Sequence, residues 1–150
     1  MDQKGLRGSS AARIDDKGRL KVPTIFRGVI TDQHGADVFV TSLTGESVRV
    51  YPMPVWLALE ERMSRAPSTH PARTRFLDRV NYFGQTAEVD AQGRVVIHQR
   101  LRESAGMTGD VDVLGAVDHL DVWNHDRLVA KMFSDPYTDD DAKALSEFGI

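Results

Sequence analysis

The feature that most constrains this chain is a short motif that occurs twice, 75 residues apart. Residues 15–19 read Asp-Asp-Lys-Gly-Arg, and residues 90–94 read Asp-Ala-Gln-Gly-Arg. One apolar residue precedes each copy, and a run rich in β-branched and other apolar residues follows. Two copies in register predict a chain built from two structural repeats.

Both motifs have the composition of a hairpin turn. Asp at the first position accepts hydrogen bonds from nearby backbone N–H groups, and Gly at the fourth supplies a positive φ. We therefore expect a type I turn followed by a left-handed glycine, fixed by Asp15, Gly18, Asp90 and Gly93. The alternative is a helical ion pair between Asp and the Arg four residues later. It is rejected because both glycines would lie in mid-helix and β-branched residues flank both copies.

The first copy carries more positive charge than the second. Lys17, Arg19 and Lys21 alternate along the chain, and Arg13 precedes them. A regular strand would place the three alternating cations on one face. Such a face suits a polyanionic partner. It suits equally a solvated edge strand whose cations prevent aggregation, so these residues alone leave both interpretations open.

Composition narrows the class of protein. The chain has 150 residues, no cysteine and a formal net charge of −3, which argues against a disulfide framework, a Cys-ligated metal and indiscriminate nucleic-acid binding. Residues 1–30 hold seven Lys and Arg against three Asp, a net +4, which leaves −7 for the remainder. This asymmetry predicts that the basic N-terminal segment is the functional, partner-binding part of the chain. The sequence shows no membrane span and no signal peptide, so we expect a cytoplasmic protein.

Periodicity predicts the same order of elements in both halves: strand, turn, strand, short helix, strand, turn, strand, helix. Pro23 favours the start of the first short helix, Gly106 the end of the second, and Asn124 the start of the last helix. The predicted divisions are a first repeat at 8–55, connecting helices at 56–83, a second repeat at 84–127 and an acidic tail at 134–150.

The tail holds five acidic residues and one lysine. This composition is typical of a disordered, solubilising segment. Docking to a protein partner is the alternative.

Motifs of common catalytic and cofactor sites are missing from the sequence. It has no Gly-rich phosphate loop of Walker or Rossmann type, no Gly-x-Ser-x-Gly and no His-Glu-x-x-His. Asp118, His119, Asp121 and His125 could supply metal ligands, but their spacing matches no zinc pattern, so we expect hydrogen-bonding or solvated roles for them. The predicted protein is not an enzyme and has no cofactor, no metal, no small-molecule substrate and no membrane partner.

With both motifs aligned, the chain resembles the MraZ family, whose members contain two repeats of the AbrB/SpoVT type. The resemblance runs from about residue 6 to residue 132, and the tail exceeds the usual family length. The residues that carry it are Leu6-Arg7-Gly8, 15–19, Pro23, Phe26-Arg27, Tyr51-Pro52, Trp56, Ala72-Arg73, Phe76, 90–94, Leu101-Arg102, Gly115 and Val122-Trp123.

The resemblance implies an α+β, mainly β fold, in which the hairpins of both repeats interleave into one swapped β-barrel with short flanking helices. It implies homo-oligomeric rings that bind double-stranded DNA in the nucleoid. The targets are tandem promoter repeats of the division and cell-wall gene cluster, and the outcome is transcriptional regulation, often repression. Arg19 matches the DNA-contacting arginine of the motif, and Arg94 is its counterpart. The predicted DNA-binding residues are Arg13, Lys17, Arg19, Lys21 and Arg94.

The two repeats are not expected to contribute equally. Gln92 and Val96 stand where the first repeat has Lys17 and Lys21. Because phosphate affinity follows local positive charge, we expect the first repeat to face the duplex and the second to serve more in barrel closure. Two other functions stay open: an antitoxin-like AbrB protein that binds a protein partner through its acidic tail, and an enzyme on a related barrel.

Overall fold

The computed structural model describes residues 5–150. Asp2 and Lys4, which count toward the charge of the first segment, lie outside the described residues. The strands are β1 (Ser9–Ile14), β2 (Arg19–Lys21), β3 (Asp37–Thr41), β4 (Val48–Pro52), β5 (Gln85–Glu88), β6 (Arg94–Val96), β7 (Gly109–Gly115) and β8 (Leu120–Asn124). The helices are α1 (Thr24–His34), α2 (Met53–Ser64), α3 (Pro71–Tyr82), α4 (Gln99–Ala105), α5 (His125–Ser134) and α6 (Asp139–Ser146).

The strands form one antiparallel sheet in the order β5-β3-β4-β8-β7-β1-β2-β6. Its two end strands, β5 and β6, are joined by the second turn, where the Asp90 N–H donates to the Arg94 C=O at 2.9 Å. The sheet is therefore almost closed into a barrel. Strand β1 of the first half pairs with β7 of the second, and β5 of the second half pairs with β3 of the first. The predicted swapped-hairpin barrel is confirmed.

A pseudo-twofold axis passes between β2 and β6. Leu20 lies opposite Val95, its own counterpart 75 residues later, and both side chains are fully buried. The remaining pairings repeat about this axis: Ala12 lies opposite Val111, and Ala87 opposite Val38. The two halves thus share one core, because neither half can bury its inner strand faces without strands from the other.

The barrel interior is filled by the inward positions of the strands and by one face of each short helix. Alternation along most strands buries one side and exposes the other, as the period of two requires. Strands β3 and β4 are the exception, because a second cluster covers their outer faces. The fully enclosed side chains include Leu20, Val22, Phe26, Ile30, Val38, Val40, Val48, Val50, Val95, Ile97, Leu101, Met107, Val113, Leu120 and Val122.

A second apolar cluster attaches α2 and α3 to the outside of the barrel. The rings of Phe39 and Trp56 stack at 4.5 Å between centroids, and Tyr51 and Val80 complete the buried set. Tyr51 and Trp56 are among the residues that carry the family resemblance.

The element order agrees with the prediction in both halves, including the left-handed Gly106 after α4 and the Asn124 side chain that accepts the Arg127 N–H at the start of α5. The tail differs from its prediction. It contains α6, whose N-cap Thr138 and third residue Asp141 form a reciprocal capping box. Acidic residues in the first turn also favour a helix, because they face the positive end of its dipole. Composition alone had suggested disorder.

Candidate nucleic-acid interface

The first turn is organised by Asp15. Its C=O accepts the Gly18 N–H and its N–H donates to the Arg19 C=O, both at 3.0 Å. Oδ1 accepts the backbone N–H groups of Lys17 and Arg19 at 2.9 Å. Oδ2 accepts the Arg19 Nε–H at 2.7 Å. Gly18 has a φ of 76°, so the predicted left-handed glycine is confirmed.

The second turn repeats this arrangement around Asp90. Its C=O accepts the Gly93 N–H at 2.9 Å, and Gly93 has a φ of 79°. Oδ1 accepts the N–H groups of Gln92 and Arg94 at 2.9 Å, and Oδ2 accepts the Arg94 Nε–H at 3.1 Å. The same backbone and the same Asp–Arg contact therefore occur twice.

The hydrogen bonds to each aspartate favour its ionised form. The Arg19 backbone N–H, assisted by the Arg19 side chain and the Lys17 N–H, holds the pKa of Asp15 below its ordinary value of 3.8. The corresponding donors of Arg94 and Gln92 lower the pKa of Asp90 in the same way. Both carboxylates are consequently charged at neutral pH and can orient the arginines.

Within the guanidinium of each arginine, the aspartate contacts only the inner nitrogen, Nε. Within residues 5–150, the outer Nη1 and Nη2 groups of Arg19 and Arg94 make no hydrogen bond. A planar fork of two N–H groups is the arrangement that pairs with phosphate oxygens or with O6 and N7 of guanine. The aspartates therefore act as orienting groups that leave this fork free for a ligand.

Pairing of β2 with β6 brings the two motifs onto one surface. Lys21 lies opposite Arg94, and Arg19 lies opposite Val96. Since Leu20 and Val95 point into the core, these four neighbours share the outer face. Arg94 is thus adjacent to a cation that belongs, in sequence, to the other repeat.

A shallow surface depression, which we call the basic face, is lined by Arg13, Ile14, Asp15, Asp16, Arg19, Lys21 and Arg94. It gathers four of the five predicted DNA-binding residues. The fifth, Lys17, is exposed in the turn before β2 begins. The strand alternation that was expected to align Lys17 with Arg19 and Lys21 therefore does not extend to it.

A groove beside the first turn contains two charged pairs that the sequence analysis missed. Arg13 Nη1 lies 3.6 Å from Asp110 Oδ1, and His125 Nδ1 lies 2.7 Å from Asp112 Oδ2. The hydrogen bond to Asp112 raises the pKa of His125 above 6.5. The register of β1 with β7, which places Arg13 opposite Asp110, could not be read from either strand alone.

Of the four residues considered as metal ligands, Asp118, His119 and Asp121 remain neighbours, with His119 Nε2 3.7 Å from Asp121 Oδ1, and only His125 lies in a separate contact. His119 hydrogen-bonds to Asp118 at 2.8 Å and stacks on Tyr51 with 4.5 Å between ring centroids, whereas His125 bonds to Asp112. Across residues 5–150, no group of three or more His, Asp or Glu side chains is arranged to hold a metal ion. None of the helices in the same part of the chain has both the length and the apolar character to cross a membrane.

Comparison with known proteins identifies the family. A family model described as "MraZ protein, putative antitoxin-like" matches residues 6–79 and 84–146. The chain belongs to the MraZ family. Both turns lie within the match, and so does α6. The family pattern therefore extends into the tail that was expected to exceed the usual family length.

Relatives cover almost the whole chain. A protein of Acidobacterium capsulatum named transcriptional regulator MraZ is 46% identical over 97% of this chain and 99% of its own. A protein of Koribacter versatilis with the same name is 44% identical over 97% of this chain and 99% of its own length. A third protein with this name, from Syntrophobacter fumaroxidans, is 34% identical over 83% of this chain and 82% of its own length. MraZ relatives therefore match both repeats together, not one repeat alone.

Proposed function

We propose that this chain is a sequence-specific, DNA-binding transcriptional regulator that reads DNA with the basic face. The observation that carries this is the convergence of Arg19 and Arg94 on one surface. Each is oriented by an aspartate, and the outer guanidinium nitrogens of each make no hydrogen bond to any of residues 5–150. The name transcriptional regulator MraZ, given to the relatives, supports the same function.

A single basic face is too small to specify a promoter site. One bidentate Arg–guanine pair contributes about 1–3 kcal/mol of discrimination. We therefore propose a homo-oligomeric ring that places several basic faces on tandem DNA repeats, so that effective concentration multiplies the affinity of each face. This also accounts for DNA binding by a chain whose net charge is −3.

Exposed apolar side chains outside the barrel support assembly. Leu57 and Tyr82 on the connecting helices are 55% and 56% exposed, and Phe133 at the end of α5 is 86% exposed. In the proposed ring, these side chains would form part of an apolar patch that a neighbouring subunit covers. Light scattering at micromolar concentration should give a closed oligomer larger than a dimer, and a strict monomer would contradict the ring.

The proposed targets are tandem repeats in the promoter of the division and cell-wall gene cluster, and the proposed effect is repression. The test is a fluorescence-anisotropy titration with DNA from upstream of this protein's own gene. A duplex of equal length with the repeats scrambled is the control. We expect tighter binding to the native repeats and a steep loss of affinity with salt. Equal affinity for both duplexes would contradict sequence-specific recognition, and a reporter assay separates repression from activation.

A second candidate function is the binding of a protein partner through the tail. The observation that favours it is α6, an acidic helix with its own capping box and no buried residue. Deletion of residues 135–150 distinguishes the candidates. A DNA regulator of the kind proposed keeps promoter binding after the deletion, whereas a tail-dependent antitoxin loses a co-purifying partner.

A further inference from the structure

Two more arginines contact the turns. Each belongs to one repeat and contacts the turn of the other repeat. Arg27, on α1 of the first half, donates from Nη2 to the Ala91 C=O in the second turn at 2.6 Å. Its guanidinium also covers Gly93. A Cβ at Gly93 would lie 2.9 Å from the Cδ, Nε and Cζ atoms of Arg27. Arg27 therefore fills the space beneath the second turn.

Arg102, on α4 of the second half, occupies the equivalent place beneath the first turn. Its Nη1 donates to the Ile97 C=O, and the Ile97 N–H donates to the Gly18 C=O at 2.9 Å. A Cβ at Gly18 would collide with the Nη1, Cζ and Nε atoms of Arg102. The first turn thus rests on the Arg102 guanidinium.

The two arginines are counterparts, since 75 residues separate Arg27 from Arg102 just as they separate Gly18 from Gly93. Both side chains are only partly exposed. Each extends across the pseudo-twofold axis from a helix that begins directly after β2 or β6. The arrangement requires glycine in the turn for two reasons: the positive φ, and the absence of a Cβ where the guanidinium lies.

We infer that Arg27 and Arg102 are positioning residues for DNA recognition. Arg27 acts through Arg94 by holding the second turn, and Arg102 acts through Arg19 by holding the first. The inference rests on the proposed function and deepens it. Each repeat supplies the support for the other repeat's reading arginine, so a competent basic face requires both repeats in one barrel.

The chemistry of arginine suits this role. Its guanidinium is planar, permanently charged and able to donate in several directions while its flat face packs on a glycine. Its aliphatic part covers apolar surface at the same time. Lysine has a positive charge but no planar fork, and it would leave the turn carbonyl or the glycine surface without its present contact.

Two other roles would produce different results. If Arg27 simply contacted phosphate, its loss would reduce affinity independently of Arg94. If it only stabilised the barrel, its loss would loosen both turns equally. Coupling between specific residues therefore separates the three possibilities, because independent sites contribute additively and residues in one network do not.

The first experiment is a double-mutant cycle measured by promoter-binding anisotropy in the full-length oligomer. Arg27→Gln should weaken binding about tenfold in the wild-type background. In the Arg94→Ala background, Arg27→Gln should weaken binding by a further factor of less than about two, because the second turn no longer has an arginine for Arg27 to position. In the Lys17→Ala background, which alters only the first turn, it should again cost about tenfold. Equal losses in all backgrounds would overturn the inference in favour of direct phosphate contact.

The second experiment needs no DNA. Hydrogen exchange followed by mass spectrometry should show faster exchange in peptides spanning 88–97 for Arg27→Gln and in peptides spanning 13–22 for Arg102→Gln. The opposite turn should be unchanged in each variant. Equal acceleration in both turns with a lower Tm would overturn the inference and leave a general structural role.

Two provisions keep the test decisive. If Arg27→Gln does not fold, Arg27→Lys retains the charge and much of the stem, and it should still loosen residues 88–97 selectively. If the wild-type protein binds neither native nor scrambled DNA, the proposed function fails. The exchange experiment then still decides whether each arginine holds the opposite turn.

Discussion

The two turns of this protein have the same backbone but different electrostatic surroundings. Arg13 precedes the first turn and lies opposite Asp110, an attractive cross-strand pair. At the corresponding position the second turn has Glu88, which lies opposite Asp37. Like charges directly opposite on a sheet are destabilising, whereas unlike charges are favourable. The repeats have therefore kept one turn geometry while their flanking charges have diverged.

The grooves beside the turns show the same divergence. The charged residues that line the groove of the first turn are Arg13, Asp110, Asp112 and His125, two cationic groups beside two carboxylates. The groove of the second turn has the carboxylates of Asp37 and Glu88 and, among the described residues that line it, no cation. A surface that approaches a polyanion gains from cations and loses from carboxylates. The difference indicates which end of the basic face should contribute more to DNA affinity.

The largest expected effect comes from removing Arg19 or Arg94, the arginines proposed to contact DNA bases. Arg19→Ala should abolish specific promoter binding with the proposed oligomer intact, because each subunit would lose about 1–3 kcal/mol of discrimination and the loss would recur around the proposed ring. Arg94→Ala should cost less, since acidic residues flank its turn. Anisotropy titrations and sedimentation of both variants measure this, with the exposed Arg75→Ala as a matched control. If Arg94→Ala no longer binds DNA while Arg19→Ala still does, the second turn and not the first contributes more to DNA affinity.

Substitution of the two turn glycines tests whether both turns have the same backbone requirement. Gly18→Val and Gly93→Val should each destabilise the fold by about 1 kcal/mol or more, because φ is positive and an arginine occupies the Cβ position. Chemical denaturation measures both. Gly28→Ala in α1 is a suitable control, since its φ is not positive and its nearest Cβ contact is 3.6 Å. A large cost at one turn glycine alone would show that the two turns differ in backbone as well as in charge.

The cations around the first turn should determine the salt dependence of binding. Lys17→Ala and Lys21→Ala should each weaken binding and reduce the slope of log K against log salt by about 0.9 for each phosphate that the variant no longer neutralises. Gln92→Ala and Val96→Ala change the corresponding positions of the second repeat and should leave the slope unaltered. Titrations at four salt concentrations give the slopes. Equal slopes for all four variants would remove the distinction between the repeats.

The acidic pair beside the second turn offers a gain of function. Glu88→Arg replaces two opposed carboxylates with a pair like Arg13–Asp110 and should stabilise the protein by about 0.2–1 kcal/mol. It should also strengthen DNA binding, because the second turn then has the charge of the first. Urea unfolding and anisotropy measure the two effects, and Glu88→Gln separates removal of a charge from addition of one. A stabilised variant with unchanged DNA affinity would place position 88 outside the interface.

The smallest expected effect is a pH dependence confined to the first turn's groove. The hydrogen bond and charge of Asp112, assisted by Asp126 and Asp110, raise the pKa of His125 in the folded state above 6.5. A raised folded-state pKa gives stability that is fully present below pH 6.5 and is lost as pH rises through the folded value. His125→Met introduces the residue that begins α2, as His125 begins α5. It should therefore destabilise more at pH 6 than at pH 8.5. Urea unfolding at both pH values tests this, and a pH-independent difference would contradict the ion pair.

Local sequence chemistry predicted the parts of this structure that depend on near neighbours. The Asp and Gly positions of both turns, the left-handed Gly106 and the Asn124 cap are set by backbone conformation and by contacts within a few residues. The capping box in the tail belongs to the same class. Its Thr138 and Asp141 are three residues apart, a spacing typical of a helix start, but the prediction for the tail used only its acidic composition.

Only the tertiary structure determined which side chains meet at the basic face. By sequence, Lys21 belongs with Arg19, but strand pairing places it opposite Arg94. Arg27 and Arg102 were recognisable as motif residues, but their contacts with the opposite turns arise because the hairpins are exchanged between repeats. Periodicity gives the face on which a residue lies, and register gives its neighbour. In this barrel the register is fixed by burying Leu20 against Val95, a contact 75 residues apart that neither repeat contains by itself.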